Sequence, residues 1–161
     1  MKVALITGAS SGIGAATVIE FADAGWSVMA AGRDTARLEE VAVASENIAT
    51  WEGDLDTSDT CDELIADTIE EFGRIDCLVN CAGILVRGNA ADTSDDDWQD
   101  TMHVNLYVPF YLSRAALPFL LATAGSIVNI ASDWGLQAGA DHVAYCTSKG
   151  GLIMLLSLIH I

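Results

Sequence analysis

The sequence predicts an α/β fold in which a doubly wound parallel sheet carries helices on both faces. Three observations predict it. Short, continuously apolar runs alternate with longer stretches of helical spacing. A glycine-rich turn joins the first run to the first helix. Apolar residues make up 52% of the 161, enough to fill one sizeable core. Strands buried on both faces read as unbroken apolar runs, whereas a sheet open to water on one side alternates. The length fits a single domain over residues 1–161.

Val3–Thr7 reads as the first strand. Gly12–Ala24 follows with helical spacing through Ile13, Ala16, Val18, Ile19 and Phe21, and Gly25 supplies a stop. Trp26–Ala31 is strand two, Thr35–Ser45 a short helix, and Ile48–Gly53 strand three. Ser58–Phe72 is a helix closed by Gly73, and Ile75–Asn80 is strand four. Ser94–Thr123 reads as one long helix, opened by a capping box of Ser94 with Asp97 and bent by Pro109 and Pro118. Ser126–Ala131 is strand five, and a helix begins at His142. Strands separated by helices of this length make right-handed βαβ units, and hence a Rossmann-like sheet.

The charge narrows the function classes. Fifteen Asp and eight Glu stand against two Lys and five Arg, a net charge of −16. Nucleic acid and anionic membrane surfaces both need cations that this chain lacks. An acidic surface suits either an ordinary cytosolic protein or a salt-rich habitat. Cys61, Cys77, Cys81 and Cys146 form no CxxC pair and no His cluster lies near them, so no metal site is expected. Cys77 and Cys81 read as small core residues, and a reducing cytoplasm is the expected location. The chain opens directly into an apolar strand without a basic leader, so no signal peptide is expected. The apolar run Gly151–Ile159 is too short to span a membrane.

Thr7-Gly8-Ala9-Ser10-Ser11-Gly12-Ile13-Gly14 occupies the strand-to-helix turn. Glycines let the backbone turn sharply and approach a ligand without a Cβ clash. The helix start adds free N–H groups and about half a positive charge, a site suited to a pyrophosphate. The spacing is TGxxxGxG, not GxGxxG.

This turn resembles the cofactor turn of the short-chain dehydrogenase/reductase family. The resemblance extends to about Leu156. Asn80-Cys81-Ala82-Gly83 is similar to the family's NNAG segment, with Cys at the second position. Ser132, Tyr145 and Lys149 resemble its catalytic Ser and YxxxK, and Asn105 its fourth catalytic residue. The resemblance implies hydride transfer between a nicotinamide dinucleotide and a carbonyl or alcohol. It implies a cofactor site built from Gly8, Ser10, Ser11, Gly12, Ile13, Gly14, Arg33, Asp54, Leu55, Asn80, Ala82, Gly83, Tyr145 and Lys149. A homodimer or homotetramer is also implied, with Ser94–Thr123 and the helix bearing Lys149 at the interface.

After strand two the chain reads Ala31-Gly32-Arg33-Asp34. An acid at the strand end would bind both ribose hydroxyls of NAD and repel a 2′-phosphate. By resemblance Gly32 holds that place, and Arg33 can grip a phosphate, so NADP(H) is favoured over NAD(H). Asp34 stands close enough to offset part of that charge. Ser11 lies where some NADP-dependent relatives carry a second basic residue. Asp54 contacts adenine by resemblance; a turn or capping role before Thr57-Ser58 fits its position equally. Asn80 and Gly83 would lie beside the ribose.

Tyr145 and Lys149 stand four apart on a predicted helix and so share one face. A free Tyr, with a pKa near 10, is a poor base at neutral pH. Favouring the phenolate enough to titrate near 7 takes roughly 4 kcal/mol, about what an ammonium about 4 Å away supplies at an effective dielectric near 20. Tyr145 then exchanges the proton on the substrate oxygen. Ser132, thirteen residues earlier at the carboxyl end of strand five, can hold that oxygen. By resemblance Asn105 holds a water that relays protons to Lys149. Ile84, Trp134, Gln137 and His142 are candidates for the substrate wall. Trp134 is either a platform or local packing, and His142 a loop or helix-start residue.

Family members continue past such a helix with two strands, a substrate loop and a segment against the nicotinamide carboxamide. The ending Ser157-Leu158-Ile159-His160-Ile161 does not resemble that continuation. The expectation is a sheet incomplete at its C-terminal edge, from an incomplete gene or read-through. The reading that follows is an NADP(H)-dependent carbonyl reductase, 3-oxoacyl thioesters being one substrate class. A silent dinucleotide sensor, an inactive fragment, and an epimerase or dehydratase of the extended relatives compete with it. The last usually carries a TGxxGxxG turn.

Overall fold

A computed structural model describes residues 1–159, with side chains through Ser157; His160 and Ile161, at the tail of the unusual ending, lie outside the described residues. Five parallel strands form one sheet in the order β3-β2-β1-β4-β5. They are β1 (Val3–Thr7), β2 (Ser27–Gly32), β3 (Ile48–Glu52), β4 (Cys77–Asn80) and β5 (Ser126–Asn129). The helices are α1 (Gly12–Asp23), α2 (Thr35–Ala42), α3 (Ser58–Phe72), α4 (Asp95–Met102), α5 (Val108–Thr123) and α6 (Val143–Ile159). The doubly wound α/β expectation is borne out.

Successive residues of each strand feed opposite faces. Leu5 and Leu78 pack with Leu64 of α3 and Leu112, Ala116 and Leu120 of α5. Ile6, Val28 and Val79 pack with Val18 of α1 and Leu38 of α2. Two apolar layers on one central sheet explain why β1 and β4 are buried throughout while β3, at an edge, is not. At roughly 25 cal/mol per Å² of apolar surface, each fully buried Leu or Ile contributes about 2 kcal/mol.

Beneath the sheet, Asp76 locks β1 to β4. Its carboxylate accepts from the Val3 amide at 2.8 Å and from Arg74 Nε and Nη2 at 2.8 and 2.6 Å. Burial alone would raise its pKa, but the Arg74 and Val3 hydrogen bonds outweigh it and hold the carboxyl below its usual value.

The expected helix Ser94–Thr123 runs without a break from Asp95, but it is not α-helical throughout. It comprises α4, a π-helical turn over His103–Tyr107, and α5. Pro109 has no N–H to give the Asn105 carbonyl four residues back, and the chain widens there instead of bending. Pro109 itself lies in the first turn of α5, where its missing donor costs little; Pro118 is accommodated inside the helix. Ser94 does cap α4, accepting from the Asp97 amide at 3.0 Å, while the Asp97 side chain returns to the Ser94 hydroxyl rather than to its amide. Asp95–Thr123 is long and apolar enough to cross a membrane by length and composition. Its face of Val108, Leu112, Ala116 and Leu120 is nevertheless spent on the core, and its start carries four Asp.

Smaller departures sit at element ends. The second helix stops at Ala42, not Ser45, and strand two runs one residue further, to Gly32. Strand five ends at Asn129, because a short 3-10 turn over Asp133–Gly135 draws the following chain away. Thr57, with Thr60, forms the capping box of α3, so Asp54 is not that helix's cap.

Candidate functional site

The strand order reverses between β1 and β4, so the loops leaving them diverge and open a crevice at the carboxyl edge of the sheet. Thr7, at the end of β1, closes its floor: its hydroxyl accepts from the amides of Cys81 and Ala82, both at 3.2 Å. The two loops touch so closely that a Cβ on Gly8 would stand 2.8 Å from Ala82, and Gly8 itself has φ +65°. At Gly14 a Cβ would collide with the Gly8 carbonyl oxygen, so α1 can leave the turn at this angle only without a side chain there.

The resulting cleft has a volume of about 1010 Å³. Gly8, Ser10, Ser11, Gly12, Ile13, Gly14, Arg33, Asp54, Leu55, Ala82, Gly83, Tyr145 and Lys149 all line it. Ser11 is the N-cap residue of α1, yet among the described residues no side chain caps that helix, so its opening amides face the cleft. Asn80 lies below the cleft wall, 2% exposed, donating to the Asn129 side chain at 2.8 Å. Its Oδ1 has no partner among the described residues.

The rim at Arg33 differs from expectation. Asp34 lines the cleft too, but its carboxylate is engaged with α2: it caps that helix through the Arg37 amide at 3.2 Å and pairs with the Arg37 guanidinium at 3.4 Å. The carboxylate facing Arg33 is Asp54, 3.7 Å distant from the next strand's loop, with both side chains about two-thirds exposed. Arg37, passed over in the sequence, also lines the cleft. Three of the chain's seven Lys and Arg (Arg33, Arg37 and Lys149) thus face one cavity, in a protein of net charge −16. Asp34 and Asp54 line it as well, so three cations face two carboxylates there, a local balance opposite in sign to the chain's own and suited to an anionic ligand.

At the other end of the cleft, Lys149 is 5% exposed and its Nζ donates to the Ile130 carbonyl at 2.7 Å. Burial lowers its pKa, with Cys81 acting in the opposite direction. The Nζ lies 5.8 Å from the Tyr145 ring centroid, so the one-face expectation from their spacing holds. Cys81 packs against the core as expected but is only half-buried and also lines the cleft, its thiol pushed up by burial and drawn back by Lys149. Cys61 and Cys77 are buried, and burial pushes them to about 12 and about 11.

Asn105 is fully buried in the π turn. Its Oδ1 accepts from the Ile84 amide at 2.8 Å, and its Nδ2 donates to the Ile84 carbonyl at 2.9 Å and to Ser148 Oγ at 3.0 Å. It thereby ties the loop after β4 to α6, close behind Gly83 and Lys149, where a Cβ on Gly83 would stand 3.3 Å from Asn105 Oδ1 and 3.5 Å from Lys149 Nζ.

Ser132 stands just outside the cleft lining, which reaches Ala131. Its hydroxyl donates to Asp133 at 3.2 Å and accepts from the Trp134 amide at 3.2 Å, capping the 3-10 turn. Of the expected substrate wall only Ile84 lines the cleft. Trp134 stacks on His142 with centroids 4.4 Å apart and meets Tyr145 edge-on at 6.1 Å. His142 is buried and its Nδ1 donates to the Ala140 carbonyl at 2.6 Å, which leaves it a packing residue.

Comparison with known proteins agrees with this geometry. Residues 2–160 match the short chain dehydrogenase family. The 2-dehydro-3-deoxy-D-gluconate 5-dehydrogenase of Escherichia coli is 33% identical over 94% of this chain and 62% of its own length. The meso-2,3-butanediol dehydrogenase of Serratia marcescens is 35% identical over 96% of this chain and 62% of its own. A crystal structure of a short-chain dehydrogenase from Streptomyces avermitilis superposes with a TM-score of 0.91 at 33% identity, covering 96% of this chain and 57% of that one. The chain therefore spans somewhat under two-thirds of the length of these relatives. Fold, glycine turn and sequence together assign it: the chain belongs to the short-chain dehydrogenase family.

Proposed function

We propose that the protein is an NADP(H)-dependent oxidoreductase interconverting a secondary alcohol and a ketone. The single observation that carries the reading is the cleft itself. It joins uncapped helix amides, two guanidinium groups at one end and a buried Lys149 beside a partly exposed Tyr145 at the other, in the order a dinucleotide's parts would need. In this reading the diphosphate lies on the opening amides of α1, in the turn of Gly8, Ser10, Ser11, Gly12, Ile13 and Gly14. Arg33 and Arg37 receive the 2′-phosphate, which a bidentate guanidinium holds better than a ribose hydroxyl. Asp54 and Leu55 flank the adenine, and Ala82 and Gly83 the nicotinamide-side ribose, with Asn80 supporting that wall from beneath.

When bound, the nicotinamide supplies hydride to a carbonyl carbon or takes it from an alcohol. The chain's residues manage the oxygen and its proton. Tyr145 gives its phenolic proton to the forming alkoxide, or in the other direction removes the alcohol proton. Lys149, held by the Ile130 carbonyl, sets its Nζ beside the Tyr145 ring, where it stabilises the negative charge that develops as the proton moves. The Ser132 hydroxyl, released from Asp133, donates to the substrate oxygen as charge develops there. Asn105 fixes the Ile84 backbone beside Lys149 and supports a water path for proton return.

The similar dehydrogenases named above act on a keto sugar acid and a vicinal diol, which favours small polar secondary alcohols as substrates. 3-Oxoacyl thioesters fall in the same carbonyl class. The exposed Phe110, Phe119 and Leu121 of α5 and Met154 of α6 fit burial in a homodimer or homotetramer, and the reaction suits a cytoplasmic setting. The test is nicotinamide absorbance with NADPH or NADP+ across ketones, diols, sugar acids and 3-oxoacyl thioesters, beside Tyr145→Phe. Turnover that Tyr145→Phe lowers by at least about 100-fold is expected. Turnover that survives the substitution, or no turnover with any substrate, contradicts the reading.

A further inference from the structure

We propose that His103 is a positioning residue for the adenine end of the cleft, acting through the Leu55 carbonyl; this rests on the cofactor reading above. His103 opens the π turn that carries Asn105, and its Nε2 stands 3.2 Å from the Leu55 carbonyl oxygen. A carbonyl only accepts, so Nε2 carries the proton and donates. The ring meets Tyr107 edge-on and Tyr111 at a tilt, with centroids 6.1 and 6.4 Å away, contacts that orient the donor before any ligand arrives.

The segment it holds is short and pinned at both ends. The Gly53 amide donates to the Gly32 carbonyl at 3.0 Å, and the Leu55 carbonyl is taken by His103. Between these anchors sits Asp54, which faces Arg33. Leu55 packs on the core while also lining the cleft. His103 is two residues from Asn105, so one π turn fixes a wall at each end of the cavity: Leu55 through a side chain donor, Ile84 through the Asn105 amide. Freeing the Leu55 carbonyl lets the Gly53–Leu55 loop move, and binding must then order it. The cost falls on ligands that reach this loop and spares those that do not.

Two variants of the full chain separate donor from ring. His103→Phe keeps an aromatic ring against Tyr107 and Tyr111 without a donor. His103→Gln gives up the ring but carries an amide N–H that can reach Leu55. Dissociation constants are read by nicotinamide fluorescence for NADPH and for reduced nicotinamide mononucleotide, which lacks the adenosine. His103→Phe should weaken NADPH about five-fold and leave the mononucleotide within about two-fold, while His103→Gln keeps NADPH within about two-fold. Equal weakening of both ligands by His103→Phe, unchanged NADPH binding in that variant, or a five-fold loss in His103→Gln overturns the tether. Should His103→Phe not fold, His103→Leu, which also removes the donor, carries the same prediction of weakened NADPH and unchanged mononucleotide binding. If the unsubstituted chain binds neither ligand, the cofactor reading itself fails, and that failure is visible before any substitution.

Discussion

Asp54→Asn should shift the cleft further toward the 2′-phosphorylated dinucleotide. Asp54 lies 3.7 Å from Arg33, and each side chain is about two-thirds exposed. Two unit charges at that distance attract by about 1 kcal/mol in water, and exposed pairs measured in other proteins contribute about 0.2–1 kcal/mol. Removing the carboxylate frees the guanidinium and deletes a negative charge facing the phosphate. The two effects together should raise the preference for NADP+ over NAD+ by about three- to ten-fold at low salt. The ratio is the right quantity, because whatever Asp54 offers the adenine is the same for both dinucleotides and cancels. Titration calorimetry with each dinucleotide, repeated at high salt, gives it directly; screening should shrink the gain as the Debye length falls to about 3 Å near 1 M. A ratio that is unchanged, or that moves toward NAD+, would refute the placement of Arg33 at the 2′-phosphate.

Arg33→Ala should weaken NADP+ about ten-fold or more and barely touch NAD+, by the same calorimetry. Gly14→Ala should abolish dinucleotide binding and lower the melting temperature, since its Cβ would collide with the Gly8 carbonyl, whereas Gly12→Ala meets open space and carries only the strain of φ +54°. For Asp76, the folded-state pKa is depressed, so its contribution is present above the unfolded value near 3.9 and lost as pH falls through the folded value. Asp76→Asn should therefore cost about 2 kcal/mol in urea unfolding at pH 7 and flatten the decline of stability below about pH 4; a variant with an equally steep acid limb would contradict the assignment.

The architecture was legible because local signals and tertiary demands coincide along most of the chain. Apolar stretches such as Val3–Ile6 and Cys77–Val79 are what a strand covered by helices on both faces requires, although strand four starts at Cys77 and not at Ile75, and Gly8 and Gly14 sit where the backbone admits no Cβ. The glycine turn, Tyr145 and Lys149 share one crevice as the family resemblance implies, and four-residue helical spacing by itself puts the last two on one face. The π turn was not legible. It is set by Pro109 withholding a donor and by Asn105 bonding to Ile84, twenty-one residues away, and neither leaves a periodic trace. The same holds for Asp54 meeting Arg33 across two strand ends while Asp34 is taken up as a helix cap. Ser132 capping its own 3-10 turn and Trp134 packing on His142 likewise depend on how a loop folds back, which no local propensity reports.

A crystal structure of the chain grown with NADP+ tests the central claim most directly. The diphosphate should lie against the amides that open α1, the 2′-phosphate at Arg33 and the nicotinamide beside Tyr145 and Lys149. Dinucleotide density lying outside this cleft, or running through it in the reverse sense with the nicotinamide at Arg33, would contradict that claim.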